Sequence, residues 1–475
     1  MRLPSLSSAH LLTMLREGQT LSARQQLLLT VLLSLPAMLA QLSHVVMEYV
    51  DASMVGHLGA SASASVGLMA TSAWMMWGLC SSCAAGFSVQ VAHLVGARNF
   101  LGARAVVRQA LVCTLFFSLL IGSVALALSS GLPHWLGAED EICSDASAYF
   151  GILALGLPFS QMVMLCSGAL RSSGQVVVPC LANVVMCALD VLFNFLLIFP
   201  QHTITLGSAQ LTIPGADMGV RGAALGTLLS EAITALFLLG YVAVRAQHLR
   251  LLSECGSFRP SMACVRRAVQ IALPMGVQHL VMTGAQVAST TIVAPLGKMS
   301  IAANAFGITA ESLCYMPGYG VADAAQTLVG QSLGAGRVRL MRNFAHVSVV
   351  LGMGIMSVMG VVMYVAAPFM MGLLSPVAEI QSLGIEALRI EAFAEPMFAA
   401  SIVCYGVFVG AGDTLKPCLM NLGSIWLVRL SLAWLLAPHY GLAGVWTAMC
   451  VELCVRGIIF LVRLRWGNWT RGVAK

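Results

Sequence analysis

The chain has 475 residues, of which 59% are hydrophobic and only 9% charged. Soluble domains carry about 25% charged residues, so the composition excludes a soluble fold and points to an integral membrane protein. The formal net charge of +6 is a loop bias, not a nucleic-acid footprint.

Residues 1–24 hold three arginines and no long apolar core, so they read as a cytoplasmic leader and not as a cleaved signal peptide. Hydropathy then predicts twelve spans, near 25–53, 61–91, 103–128, 146–171, 176–200, 219–244, 264–294, 299–330, 339–366, 384–410, 414–437 and 442–465. A helix crosses a bilayer with about 20 apolar residues, and it is the only open-ended element that satisfies its own backbone in lipid. The one long polar connection, 246–263, reads as a cytoplasmic linker. It separates an N-terminal six-helix bundle (25–245) from a C-terminal one (264–465), and 466–475 form a cytoplasmic tail.

Basic residues set the orientation. The leader, the loops after spans two and eight, the central linker, Arg171, Lys416 and the tail together place 21 of the 25 lysines and arginines on one side. The opposite side has Arg221 and Lys298, and its loop 137–145 is acidic. Both termini are therefore expected in the cytoplasm.

Shifting the chain by 238 residues superposes its landmarks without a gap. Leu35-Pro36 meets Leu273-Pro274, Leu58-Gly59 meets Leu296-Gly297, Pro158 meets Pro396 and Pro179-Cys180-Leu181 meets Pro417-Cys418-Leu419. After Pro200 the offset falls to 222, because the first half has a longer external loop. Each half has an even number of spans, so this is a parallel repeat about an axis along the membrane normal. The expected fold is all-α, with twelve transmembrane helices in two six-helix parallel-repeat bundles around a central cleft. Rocking the bundles gives alternating access.

The carboxylates break that symmetry. An acid on a membrane helix costs roughly 2.5–3.5 kcal/mol even on the milder scales, so each one asks for a use. Span one carries Glu48 and Asp51. Span five carries Asp190, with Asn194 four residues on and hence on the same helix face. Span six carries Thr227, Ser230 and Glu231. Asp51, Asp190, Asn194 and Thr227 together offer hard oxygen ligands. They suit Na+, or a proton shared between repelling carboxyls. The second half has Ser289, Val428 and Met449 where the first has Asp51, Asp190 and Thr227. The cation site is therefore expected in the first half, with purely structural pairing of these acids as the competing reading. Pro36 is the expected hinge of the first helix.

Glu48 either joins the ion site or lies wet near the outer mouth. Trp74, Trp77 and Tyr315 either line an adaptable apolar pocket or simply pack. Glu311, Asp323 and Glu395 are candidates for the cleft wall. Arg429, within span eleven, needs a partner, with Glu452 and Glu395 the candidates. The 14 cysteines are scattered. Cys80 and Cys83 form a lone C-x-x-C and read as packing residues. The histidines lack metal spacing, and no phosphate loop or catalytic triad order appears, so an enzyme is not expected.

The segments VDASMVGHLG, ALRSSGQVVVP, DVLFNFLLIF, GVRGAALGTLLSE and YMPGYGVADAAQTLVGQSLGAG resemble the signatures of the multidrug and toxic compound extrusion (MATE) family. The resemblance covers about residues 25–465. It implies a coupling ion, Na+ or H+, bound at Asp51 and export of organic, often cationic compounds. It matches the family's sixth-helix threonine to Thr227. It also matches the fifth-helix amide and acid to Asp190 and Asn194, here in exchanged order. Some branches carry a coupling acid on the seventh helix, but residues 269–296 hold no carboxylate. The implied protein is a cation-coupled antiporter of the inner membrane. It would act as a monomer, with the lipid bilayer and small organic substrates as partners, and with no cofactor, no metal beyond Na+ and no nucleic acid. The alternative is a flippase for lipid-linked precursors. That would want a cationic cleft, and only Arg389 and Arg429 lie within spans.

Overall fold

The computed structural model describes residues 7–206, 209–253 and 256–470. Parts of the expected leader (1–6), linker (254–255) and tail (471–475) lie outside the described residues.

A short helix α1 (Ser8–Arg16) precedes the first half. That half comprises α2 (Ala23–Gly56), α3 (Ala60–Gly96), α4 (Phe100–Leu128), the single turn α5 (Leu132–Trp135), α6 (Asp140–Ser172), α7 (Val177–Ile198) and α8 (Gly219–Val244). The second half comprises α9 (Met262–Val293), α10 (Lys298–Gly334), α11 (Val338–Leu374), α12 (Ala378–Glu391), α13 (Glu395–Gly410), α14 (Leu415–Gly423) and α15 (Leu430–Trp466). A π turn, Ser424–Arg429, joins α14 to α15. α15 is itself two helices meeting at Gly441. The result is the expected twelve-helix membrane fold. Eight stretches are individually long and apolar enough to span, 415–466 counting as one, and the bent α12–α13 pair adds another. α9 and α10 are not among them, since both carry many polar residues along their length.

Each half opens on a serine cap. Ser22 and Ser261 accept from the N–H groups of Gln25 and Cys264, satisfying donors that would otherwise be orphaned at a helix start. The repeat extends to single dihedrals. α3 and α10 are both 37 residues long and begin 238 residues apart. Gly59 and Gly297 take φ of 117° and 99°, Gly174 and Gly412 take 90° and 80°, and Gly219 and Gly441 take 54° and 60°. A side chain with a Cβ rarely adopts that region, so the glycines fix the same turns in both halves. Helix contacts repeat as well. A Cβ on Gly122 or on Gly360 would stand 2.8 Å from the carbonyl of Ala154 or Ala392 respectively.

Three features differ from the expected elements. The external loop after α7 forms an antiparallel hairpin, β1 (Pro200–Leu206) with β2 (Ala209–Ala216). The expected leader is a docked element: α1 buries Leu11, Leu12 and Leu15 against both halves. The predicted span 384–410 is two helices, α12 and α13, bent by 61°. Its counterpart α6 is unbroken although both contain the repeated proline. The difference lies beside the bend. Glu391 and Glu395 stand where the first half buries Leu153 and Leu157.

The halves are sealed on the side that carries the termini. There α3 meets α9 and α10 with almost no side chain between. Gly86 lies against the Ala268 carbonyl, Gly96 against that of Gln331 and Gly334 against that of His93. Polar bonds cross the same seam: Gln331 to the Ser172 carbonyl at 2.7 Å, Gln90 to Cys264 at 3.2 Å, and His93 to Gly410 at 2.8 Å. α1 straps it, since Arg16 donates to Gln331 in the second half and to Ser173 in the first. His248 of the linker meets the same guanidinium at 3.0 Å. Burial, with Arg16 and Arg104 beside it, pushes that imidazole down to about 4, so near neutrality it accepts from Arg16 without adding charge. Toward the opposite face, beyond Gly78 packed on His279, the one hydrogen bond across the halves among the described residues is Tyr49 to the Thr309 carbonyl, 2.7 Å. The cleft therefore opens away from the termini.

Gly334→Val should wedge this seal. Overpacking costs about 1–3 kcal/mol, enough to raise seam opening about fivefold or more. Hydrogen exchange should accelerate in peptides covering 86–96 and 322–334 while α6 keeps its protection. Unchanged protection at the seam would remove the glycines from the sealing contact.

Candidate functional site

Asp51 lies one turn and a half from the end of α2, half-buried, facing α7. Asp190 and Asn194, both fully buried, share one face of α7. The Asn194 amide donates to Asp51 at 2.7 Å and to Asp190 at 3.0 Å. One amide thus holds two carboxyls together. Ser230 of α8 reaches Asp190 at 3.4 Å. Thr227, one turn away, bonds its own helix at Ala223 and lies beside Asp190. Among the described residues no lysine or arginine meets either carboxyl.

Two further observations bear on what the site can hold. Asn194 Oδ1 is buried with no hydrogen-bond partner among the described residues, and such orphaned acceptors are rare in finished interiors. Its space comes from Gly226, where any Cβ would overlap that oxygen. The site thus presents carboxyl, amide and hydroxyl oxygens, a hard donor set suited to a hard monovalent cation or a proton. The sequence pointed to all four main residues. It did not show Gly226, whose signal is only a small residue immediately before Thr227.

The other candidate residues separate. Glu48 faces His44 at 3.8 Å and stays half-exposed, outside the Asp51–Asn194–Asp190 group. Pro36 lies within an unbroken α2. Trp77 packs on a first-half cluster with Met69, Met76 and Phe150. Trp74 is 56% exposed and shares the helix face of Gly78, one turn beyond its contact with His279, which puts it on the open wall between the halves. Asp323 departs from the expected cleft wall. It sits in the sealed part of the interface, 3.9 Å from Arg171 and 3.4 Å from Gln41 of the other half.

Glu311, Glu395 and Tyr315 also depart from the cleft reading, because they lie inside the second bundle. Glu311 and Glu395 are 5% and 1% exposed, and Tyr315 packs edge-on against Tyr319 and Phe398. The centre of that bundle is an ionic group. Glu452 takes Arg429 at 2.8 Å, Arg456 at 2.7 Å and the Ser424 hydroxyl at 2.5 Å. Glu391 and Glu395, also buried, have no hydrogen-bond partner for any carboxyl oxygen among the described residues. The sequence reading did not single out Glu391 as a site residue.

A family model described as MatE matches residues 36–196 and 274–435, both halves of the repeat. A protein of Thermotoga maritima, named as a probable multidrug resistance protein NorM, is 24% identical over 441 residues, 92% of each chain. One of the same name from Pseudomonas aeruginosa is 26% identical over 449 residues, 91% of this chain and 87% of its own. Among solved structures, one described as the outward-facing conformation of a multidrug resistance MATE family transporter superposes with a TM-score of 0.85. It is 22% identical and covers 96% of this chain and 97% of that one. A MATE structure described as the straight conformation gives the same TM-score and coverage.

Two substitutions separate the clusters. Gly226→Ala should displace Asn194 from Asp51 and cut gradient-driven transport about tenfold or more; full transport would show that the Asn194 bridge is dispensable. Glu452→Gln leaves two arginines short of a counter-charge, and breaking such a buried pair costs about 3–5 kcal/mol. Its melting temperature should fall steeply, with part of the loss recovered in Glu452→Gln/Arg456→Met. A Glu452→Gln protein as stable as wild type would show the pair to be immaterial.

Proposed function

Because the chain belongs to the MATE family of multidrug efflux transporters, whose members are transporters and not enzymes, we propose that it is a Na+- or H+-coupled antiporter. It would export organic, cationic or amphipathic compounds by alternating access. One observation carries the coupling: two carboxyls bridged by a single amide, with no lysine or arginine among the described residues to neutralise them and an unpaired buried oxygen beside them. Two carboxyls that close repel when both are ionised. A proton or Na+ removes that repulsion, so the cation and the compact site favour each other.

The chain is a multi-pass membrane protein. The basic bias supports an inner-membrane protein with cytoplasmic termini, and the sealed side is then the cytoplasmic one. In this state the cleft faces outward. Asp51, half-buried where Asp190 and Asn194 are fully buried, receives the ion first, and Asp190 and Asn194 complete its shell. Drawing α2 toward α7 narrows the first-half cavity, with Pro36 as the pivot, and expels the organic cation. The return step needs the terminus-side seam to open. In the second half, Glu452 balances Arg429 and Arg456. A lipid-precursor flippase is not favoured, since Arg429 is held by Glu452 and is not offered to an anionic substrate. One chain holds both halves, so a monomer suffices.

Ethidium efflux from proteoliposomes should follow one imposed gradient, Na+ or H+, and Asp51→Asn should abolish the dependence. Efflux independent of both gradients, or full coupling in the variant, would refute coupling at Asp51.

A further inference from the structure

The terminus-side ends of the two halves are built on one backbone plan but finished with opposite chemistry. In the first half, the turn at Gly174 is covered by α1. Leu12 packs on Gly174, and Arg16 donates to the Ser173 carbonyl at 2.8 Å. The seat is apolar, with Leu28 and Leu29 contributed by α2. In the second half no helix among the described residues covers the matching turn at Gly412 in this way. It borders a cavity of about 780 Å3. At the positions of Leu28, Leu29 and Val178 stand Arg266, Arg267 and Lys416, all lining that cavity.

These cations are not neutralised from within. The cavity's one carboxylate, Asp413, is held by Arg463. Arg267 donates to His93 Nδ1 at 2.8 Å, while the other ring nitrogen bonds the Gly410 carbonyl at 2.8 Å. Arg267 therefore meets a neutral ring and not an acid. Arg266 and Lys416 have no hydrogen-bond or ion-pair partner among the described residues. α14 starts at the cavity edge without a side-chain cap. Its first-turn N–H groups and positive dipole end add to the field. The first-half pocket needs a hydrophobic plug and has one. The second-half pocket needs an anion.

We propose that this pocket binds the phosphate-bearing headgroup of an anionic glycerophospholipid. Basic pockets between helices at the cytoplasmic membrane surface suit such headgroups. The volume falls in the range of pockets for whole organic ligands, about 300–1,000 Å3, well beyond a free phosphate ion. The wall is also mixed. Ala263, Ile271 and the buried Trp469 give the glycerol region an apolar shelf. Trp466, 73% exposed one turn before, marks the membrane interface. His93 belongs to the first half and the rest to the second, so an occupied pocket spans the seam and holds it shut.

The test uses the full chain and compares bound phosphatidylglycerol with bound phosphatidylcholine by native mass spectrometry after exchange into mixed micelles. Wild type should retain phosphatidylglycerol preferentially. Arg266→Gln/Lys416→Gln should lose about fivefold per charge removed, so about 25-fold together. A control with two other exposed arginines of the same face neutralised, Arg245→Gln/Arg339→Gln, should keep the preference. Equal loss in both variants would reduce the effect to general surface charge and overturn the site. So would an unchanged preference in Arg266→Gln/Lys416→Gln. Competition by inorganic phosphate at equal concentration would assign the pocket to a free anion and overturn the lipid.

Discussion

The bridge from Asn194 to Asp51 and Asp190 organises the first bundle. Two acids in a membrane bundle without a base are tolerable only if something satisfies their oxygens. The amide donates to both, and the Ser230 hydroxyl reaches Asp190 as well. The rest of the bundle serves that geometry. Gly226 gives up a side chain so that Asn194 can lie flat against α8. Ser230 and Thr227 supply hydroxyls from the same helix. α2 stays continuous through Pro36, so it delivers Asp51 from a helix that can still bend.

The second bundle shows what the repeat conserves and what it leaves free. The positive-φ glycine turns and several glycine contacts recur residue for residue. The polar centre does not. Where α8 has Ser230, α15 has Glu452, and where α7 has Asp190, α14–α15 has Val428 beside Arg429. The acid has moved to the neighbouring helix and acquired two arginines. Such a group is held by strong fixed charges, and releasing its counter-ions would expose a buried carboxylate. Protein cations therefore close the second centre, whereas no lysine or arginine among the described residues meets the carboxyls of the first.

Much of this was legible in the sequence because it is carried by periodic or punctual signals. Span count, the two-half plan and the matching turns follow from apolar runs and from glycines and prolines at one offset. The Asp190–Asn194 face follows from a spacing of four. Three-dimensional neighbours across the repeat were not legible. Asp323 looked like a cleft acid because its segment is polar, yet it pairs with Arg171 across the seal. Glu311 and Glu395 looked accessible because charge usually seeks water, yet burial decides otherwise. The break between α12 and α13 was hidden because Pro396 has a twin, Pro158, inside an intact helix. The buried acids at 391 and 395, and not the proline, distinguish the broken helix. The docking of α1 was equally invisible, since a nine-residue amphipathic helix gives no hint of which surface it covers.

The seal that α1 helps to make also bears on how such a machine can cycle. A large apolar interface would close the terminus side at roughly 25 cal/mol per Å2 buried and would resist opening. This seam combines a small apolar cluster, Val89 of the first half with Ile271, Met275 and Val409 of the second, with backbone-to-backbone approach at glycines and single hydrogen bonds from Gln331, Gln90, His93 and Arg16. Each bond contributes a net of only about 0.5–1.5 kcal/mol, and water can replace the partners when the halves part. The contacts are short-ranged and nearly all-or-none, so the seam is either packed or open, with little between.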